Sequence, residues 1–128
     1  MKIRIMIVDD EDDIRSMVRD IFESDGYEVL EAADAAALRR SLSEPAPDVV
    51  LLDLNLPDAE GLSLLPELKR KWPTSKVIIL TGYGTAEAAD KAFRLDDVYL
   101  ESKPFDVGTL KALVQLALKG APQQKRGN

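Results

Sequence analysis

Neither cysteine nor histidine occurs in the 128 residues. Without cysteine there is no disulfide framework, thiolate metal site or thiol nucleophile. Without histidine the commonest general base, the commonest metal ligand and any phosphohistidine are also excluded. Chemistry here must run on carboxylates, hydroxyls, lysines and backbone groups. Aromatic residues are scarce, 5% against 45% hydrophobic residues overall, so one domain with an aliphatic core is expected. Long apolar runs are missing too: nothing approaches the roughly 18 to 20 residues of a membrane span. The opening Met1-Lys2-Ile3-Arg4-Ile5-Met6 reaches acids at Asp9 without a small-residue cleavage site. The expectation is a soluble cytoplasmic protein with no membrane partner. Positive charge is in deficit, 17 Lys and Arg against 23 Asp and Glu, for a net charge of −6. That disfavours direct contact with nucleic acid or anionic lipid and points to a protein or a cation as partner.

The most informative stretch is Pro47-Asp48-Val49-Val50-Leu51-Leu52-Asp53-Leu54-Asn55-Leu56-Pro57. Four consecutive apolar residues, entered through proline and closed by Asn55 and Pro57, read as a strand buried on both faces of a parallel sheet. Asp53 ends that strand, and ligands of open α/β sheets bind outside the carboxyl ends of the strands.

The flanking chain alternates between two periods. Ile3 to Val8 reads as a strand, followed by the acids Asp9 to Asp13. Ile14, Met17, Val18, Ile21 and Phe22 then recur at helical spacing, with Gly26 where that helix should end. Tyr27 to Glu31 is a second strand, and Asp34 is placed to cap a helix carrying Ala35, Leu38 and Leu42. A third helix is expected from Gly61, with Leu65, Leu68 and Trp72 on one face and Pro66 in its first turn or bending it. Lys76 to Leu80 is a fourth strand ending at Thr81-Gly82-Tyr83-Gly84. A helix through Ala86, Ala89, Ala92 and Phe93 has so small an apolar face that shallow packing is expected. Val98 to Glu101 is partly polar, as suits an edge strand. Asp106 should cap a last helix bearing Leu110, Leu113, Val114, Ala117 and Leu118, with Phe105 and Leu110 as a hydrophobic staple and Gly120 as its end. Five strands alternating with five helices imply a doubly wound parallel sheet, (βα)5. Residues 1–120 form the expected domain; 121–128 are a polar C-terminal tail or the start of a linker.

With strand order 2-1-3-4-5, the ends of strands one, three, four and five meet in one site containing Asp9, Asp10, Asp53, Thr81 and Lys103. Two unit charges about 4 Å apart repel by roughly 4 kcal/mol at an effective dielectric near 20, so the carboxylates call for a cation. An all-oxygen site with open positions suits Mg2+, held by Asp9, Asp10, Asp53 and a backbone carbonyl near Asn55. An oxygen of Asp53 could then attack a phosphoryl group, with Lys103 neutralising charge and Thr81 donating its hydroxyl. Singly, each residue has an ordinary explanation: a helix-dipole acid, a turn aspartate, a cap or a solvated charge. For Asp12 and Asp13 the ordinary one is preferred.

Ile7-Val8-Asp9-Asp10-Glu11, Leu51 to Pro57 with Gly61, Leu80 to Gly84, and Lys103-Pro104-Phe105 together resemble the receiver domain of two-component response regulators, over about residues 3 to 119. The resemblance implies a flavodoxin-like fold in which Asp53 accepts a phosphoryl group from a sensor histidine kinase while Asp9 and Asp10 bind Mg2+. It further implies that Lys103 contacts the phosphoryl and that Thr81 shifts a face of the fourth helix, fifth strand and fifth helix. Effector recognition or a phosphorylation-dependent homodimer would use that face. The bond before Pro104 is expected to be cis, and Asn55 and Tyr83 would tune hydrolysis of the phosphoryl group. Such a domain signals and is not an enzyme beyond self-catalysed phosphotransfer and slow autodephosphorylation. Three positions depart from the family: Asp58 stands where glycine is common, Asp96-Asp97 replace Gly-Ala, and the switch aromatic is displaced. Leu100 holds that switch position in a regular strand; a bulge near Glu101-Ser102 would give it to Tyr99. A haloacid-dehalogenase-like phosphatase would need an acid where Asn55 stands. A flavodoxin-type module would need a phosphate loop free of acids, and a receiver acting only as a docking module would not need the full motif set.

Overall fold

The computed structural model describes residues 2–82 and 98–121. In chain order the elements are β1 (Arg4–Val8), α1 (Asp12–Ser24), β2 (Glu28–Ala32), α2 (Ala35–Ser41), β3 (Val49–Asp53), α3 (Gly61–Lys71), β4 (Lys76–Thr81), β5 (Val98–Ser102) and α4 (Val107–Leu118). The strands form one parallel sheet in the order β2-β1-β3-β4-β5, as expected. The helix expected through Ala86 to Phe93 lies outside the described residues.

Side chains alternate across each strand, and this alternation divides the core in two. Ile5 and Ile7, Val49 and Leu51, Ile78 and Leu80, and Tyr99 join Val18 and Phe22 of α1 and Leu110 and Val114 of α4 on one face. Met6 and Val8, Val50 and Leu52, and Val77 and Ile79 join Leu38 of α2 and Leu64, Leu65 and Leu68 of α3 on the other. All five residues of β3 are buried, as a central strand covered on both faces requires. Burying each of its Val and Leu side chains is worth about 1.5–3 kcal/mol.

The ends of the elements follow from local chemistry. Asp34 accepts from the Ala37 amide at 2.8 Å and Asp106 from the Thr109 amide at 3.0 Å, so both expected caps are made. Gly26 closes α1 with φ at +92°, a conformation that side-chain-bearing residues rarely adopt. Phe105 packs into the same cluster as Leu110. Trp72 lies just past α3 and is buried, its indole N–H donating to the Glu44 carbonyl at 3.1 Å. Pro66 lies inside α3, past its first turn.

Gly61 places the start of α3 against the end of β3. Its amide donates to the Leu54 carbonyl at 2.8 Å. A Cβ there would lie 2.6 Å from the Asp53 carbonyl oxygen and 2.7 Å from Leu54 Cα, and backbone cannot give way cheaply. Gly61→Ala is therefore expected to destabilise the domain by about 1–3 kcal/mol, the range for overpacking, as read from the midpoint of urea unfolding.

Candidate functional site

The ladder register itself assembles the site. Val8 pairs with Leu52, so the next residue of each strand, Asp9 and Asp53, leaves the sheet side by side. Asp53 is level with Leu80, and Leu80 with Glu101, which brings Lys103 to the same rim just beyond β5. Thr81 ends β4 beside Ser102, at that rim. Tyr83 lies outside the described residues.

Asp9 is wholly buried and Asp53 is 3% exposed, whereas Asp10 faces solvent. Lys103 Nζ donates to Asp9 Oδ2 at 2.7 Å and to Asp53 Oδ2 at 3.3 Å, bridging the two strands; Glu11 lies further off at 3.9 Å. The remaining oxygens are held by backbone: Asp9 Oδ1 accepts from the Glu11 amide at 2.9 Å and Asp53 Oδ1 from the Asn55 amide at 3.0 Å. Asp53 is thus less open than a strand-end position suggests, with Lys103 on one oxygen and the Asn55 amide on the other. The Lys103–Pro104 peptide is cis.

One carboxylate oxygen each from Asp9, Asp10 and Asp53 lies within 4.8 Å of the others. Three carboxylates and one ammonium sum to −2, the charge a divalent cation neutralises. The donors are all hard oxygens, which fits Mg2+. Burial pushes the Asp53 carboxyl above its usual range; the Asn55 amide and the Lys103 charge oppose this, while the Asp9 charge adds to it. Burial works to lower the Lys103 pKa, but the hydrogen bond and charge of Asp9, with those of Asp53, reverse it and the net shift is upward.

Two contributors have no assigned role in the sequence reading. Arg15 donates to the Asp9 carbonyl at 2.6 Å and to Glu31 at 3.2 Å and also pairs with Asp12, so it braces the turn bearing Asp9 and Asp10. Its i, i+3 spacing from Asp12 was visible, but its reach across to β2 was not. Asp58 accepts from the Ala35 amide at 2.8 Å and the Ala36 amide at 3.0 Å, at the start of α2. These hydrogen bonds hold its carboxyl below the usual range.

The ladder of β5 is regular: Ile79 pairs with Leu100 and Leu80 with Glu101, with no bulge between them. Leu100 packs on the α2–α3 side of the sheet. Tyr99 is buried on the opposite face, and its hydroxyl donates to the Ala121 carbonyl at 2.6 Å.

The family model described as response regulator receiver domain matches residues 5–115. The chain is 41% identical over 121 residues to the KDP operon transcriptional regulatory protein KdpE of Escherichia coli strain K12, covering 90% of this chain and 51% of that protein. It is 30% identical over 115 residues to sporulation initiation phosphotransferase F of Bacillus subtilis strain 168, covering 90% of this chain and 93% of that one. Among solved structures, the receiver domain of NtrX from Brucella abortus superposes with a TM-score of 0.82 at 35% identity, covering 90% of this chain and 98% of that one. The chain spans between about a quarter and a half of the length of several regulatory proteins it matches.

The upward shift of Asp53 has a measurable sign. Its folded form holds a proton more tightly than the unfolded chain, so its contribution to stability falls as pH rises from the unfolded value, about 3.8, through the folded one. In EDTA at neutral pH, Asp53→Asn is expected to unfold at a higher temperature than the parent, and the margin should close as pH falls below that window. Lys103, with its raised pKa, holds its contribution throughout this range and loses it only in alkali. Thermal melts at several pH values check this.

Proposed function

The chain belongs to the response regulator receiver domain family, and on that premise we propose that Asp53 is its phosphoacceptor, charged by a sensor histidine kinase. The observation that carries this reading is the bridge of Lys103 between Asp9 and Asp53 at the carboxyl ends of three strands. A carboxylate oxygen of Asp53 forms a bond to phosphorus as the bond to the donor imidazole nitrogen breaks, and that nitrogen keeps the electron pair. Lys103 follows the developing charge because its ammonium already faces Asp53, and the Asn55 amide orients the carboxylate through Oδ1. Asp9, Asp10, Asp53 and the Asn55 carbonyl would hold Mg2+, which when bound would neutralise charge on the phosphoryl oxygens. Thr81 donates its hydroxyl to the phosphoryl group, while Asn55 and Tyr83 govern access of the hydrolytic water. Self-catalysed transfer and slow autodephosphorylation are the only reactions assigned.

The phosphoryl state is read on the face that includes β5 and α4, by an effector domain or protein or by a second copy of the chain. In support, matched relatives named as transcriptional regulators extend well beyond the length of this chain. The domain itself works without direct nucleic-acid contact, in keeping with its charge of −6. It acts in the cytoplasm; among the described residues no helix is long and apolar enough to cross a membrane. The domain ends near residue 120, with a linker or tail beyond.

Asp53→Asn should abolish acyl-phosphate formation from acetyl phosphate and Mg2+, followed by intact mass before and after hydroxylamine. Labelling that survives in the variant would sink the reading. The regular β5 ladder supports Leu100 as the residue coupled to Thr81. Leu100→Ala should therefore weaken the response of partner affinity or self-association to a beryllofluoride phosphoryl mimic, and Tyr99→Phe should leave it intact. The reverse order, read by light scattering and partner titration, assigns the switch to Tyr99.

A further inference from the structure

The sequence flags Asp58 as an acid where glycine is common, and nothing in the phosphotransfer chemistry uses it. Its position explains it differently. The loop from Leu54 to Glu60 carries the Asn55 carbonyl and joins β3 to α3. Its inner end is fixed by the Leu54 amide donating to the Leu80 carbonyl at 3.2 Å, by the Gly61 amide on the Leu54 carbonyl at 2.8 Å, and by a bridge between Asn55 and Glu60. At its outer end, both carboxylate oxygens of Asp58 accept from consecutive amides of α2, Ala35 at 2.8 Å and Ala36 at 3.0 Å. The third amide of that turn, Ala37, is taken by Asp34. A carboxylate bound to two adjacent amides has little freedom to move. The turn that holds it is itself anchored, since Ala35 and Leu38 are fully buried.

We propose that Asp58 is a positioning residue for the cation site: it latches the metal-binding loop to α2 and holds the Asn55 carbonyl where a divalent ion needs it. This inference rests on the proposed Mg2+ site. Groups that orient a metal ligand without touching the metal change affinity by about tenfold to a hundredfold when removed. Asp58 acts at one further remove and in solvent, so a loss of roughly threefold to tenfold is expected for Asp58→Ala, smaller than for a direct support. Glycine in this place would offer no acceptor. Because coupling is reciprocal, Mg2+ must in turn tighten the latch and disturb the Ala35 and Ala36 amides, although neither is a ligand.

The test is calorimetric titration of Mg2+ into the intact chain and into Asp58→Ala, Asp58→Asn and Asp34→Ala, each first shown to be folded by its thermal transition. Asp58→Ala should bind Mg2+ more weakly. Asp58→Asn, whose single amide oxygen can serve one of the two N–H donors, should fall between it and the parent. Asp34→Ala, which uncaps the same helix but leaves the latch, should bind like the parent. Unchanged affinity in Asp58→Ala, or an equal loss in Asp34→Ala, overturns the inference. If Asp58→Ala does not fold, the parent decides: Mg2+ should move the Ala35 and Ala36 amide resonances in NMR spectra, and their staying still overturns it. A parent that binds no Mg2+ overturns the proposed cation site itself, an outcome distinct from a parent that binds and a variant that binds equally well.

Discussion

The structure turns on one electrostatic constraint: two aspartates from neighbouring strands leave the sheet side by side, both buried. Asp9 and Asp53 follow paired residues of β1 and β3, so parallel register leaves them no other arrangement. Lys103 makes it tolerable, reaching both from beyond the edge strand. A domain optimised for stability alone would replace such a trio with apolar side chains, because desolvating charges costs about as much as their attraction returns. Its presence is what the proposed phosphoacceptor role would require.

Around that trio the chain supplies rigid supports at two ranges. Close in, the amides of Glu11 and Asn55 each hold one oxygen of an aspartate, leaving the other for Lys103. Further out, Arg15 braces the turn after β1 and Asp58 fastens the loop after β3. The loops after β1 and β3 are thus tied to α1 and α2 respectively.

What could be read from the chain in advance divides along the same lines. The strands and the two side-chain caps were legible because period and the positions of proline and glycine are local rules, whereas the order of the sheet was supplied by the common doubly wound pattern. The rim positions of Asp9, Asp53 and Thr81 were legible because each directly follows or ends an apolar run; Asp10 and Lys103 lie a little further along the chain, and their place came from the charge cluster and the motif resemblance. Arg15 and Asp58 were not. Their partners lie across the fold, Glu31 sixteen residues away and Ala35 twenty-three, and no spacing rule connects them. The depth of Asp53 was not legible for a related reason: the Lys103 ammonium that meets it comes from just beyond another strand, fifty residues along the chain. The choice between Leu100 and Tyr99 was a matter of one residue of register, which a ladder resolves and a sequence does not. Pro66 sits deeper in α3 than its chemistry favours.

The outer strand β2 brings a different consequence. It has a neighbour on one side only, yet it carries Glu28, ion-paired with Arg4, and Glu31, ion-paired with Arg15 and Arg19. These acids sit at alternating parity, so each surface of the strand presents a satisfied charge pair. A foreign strand adding to this margin would have to bury or break those pairs, a form of protection against edge-to-edge aggregation. The same Arg15 that steadies the acidic pocket thereby helps to keep the sheet finite.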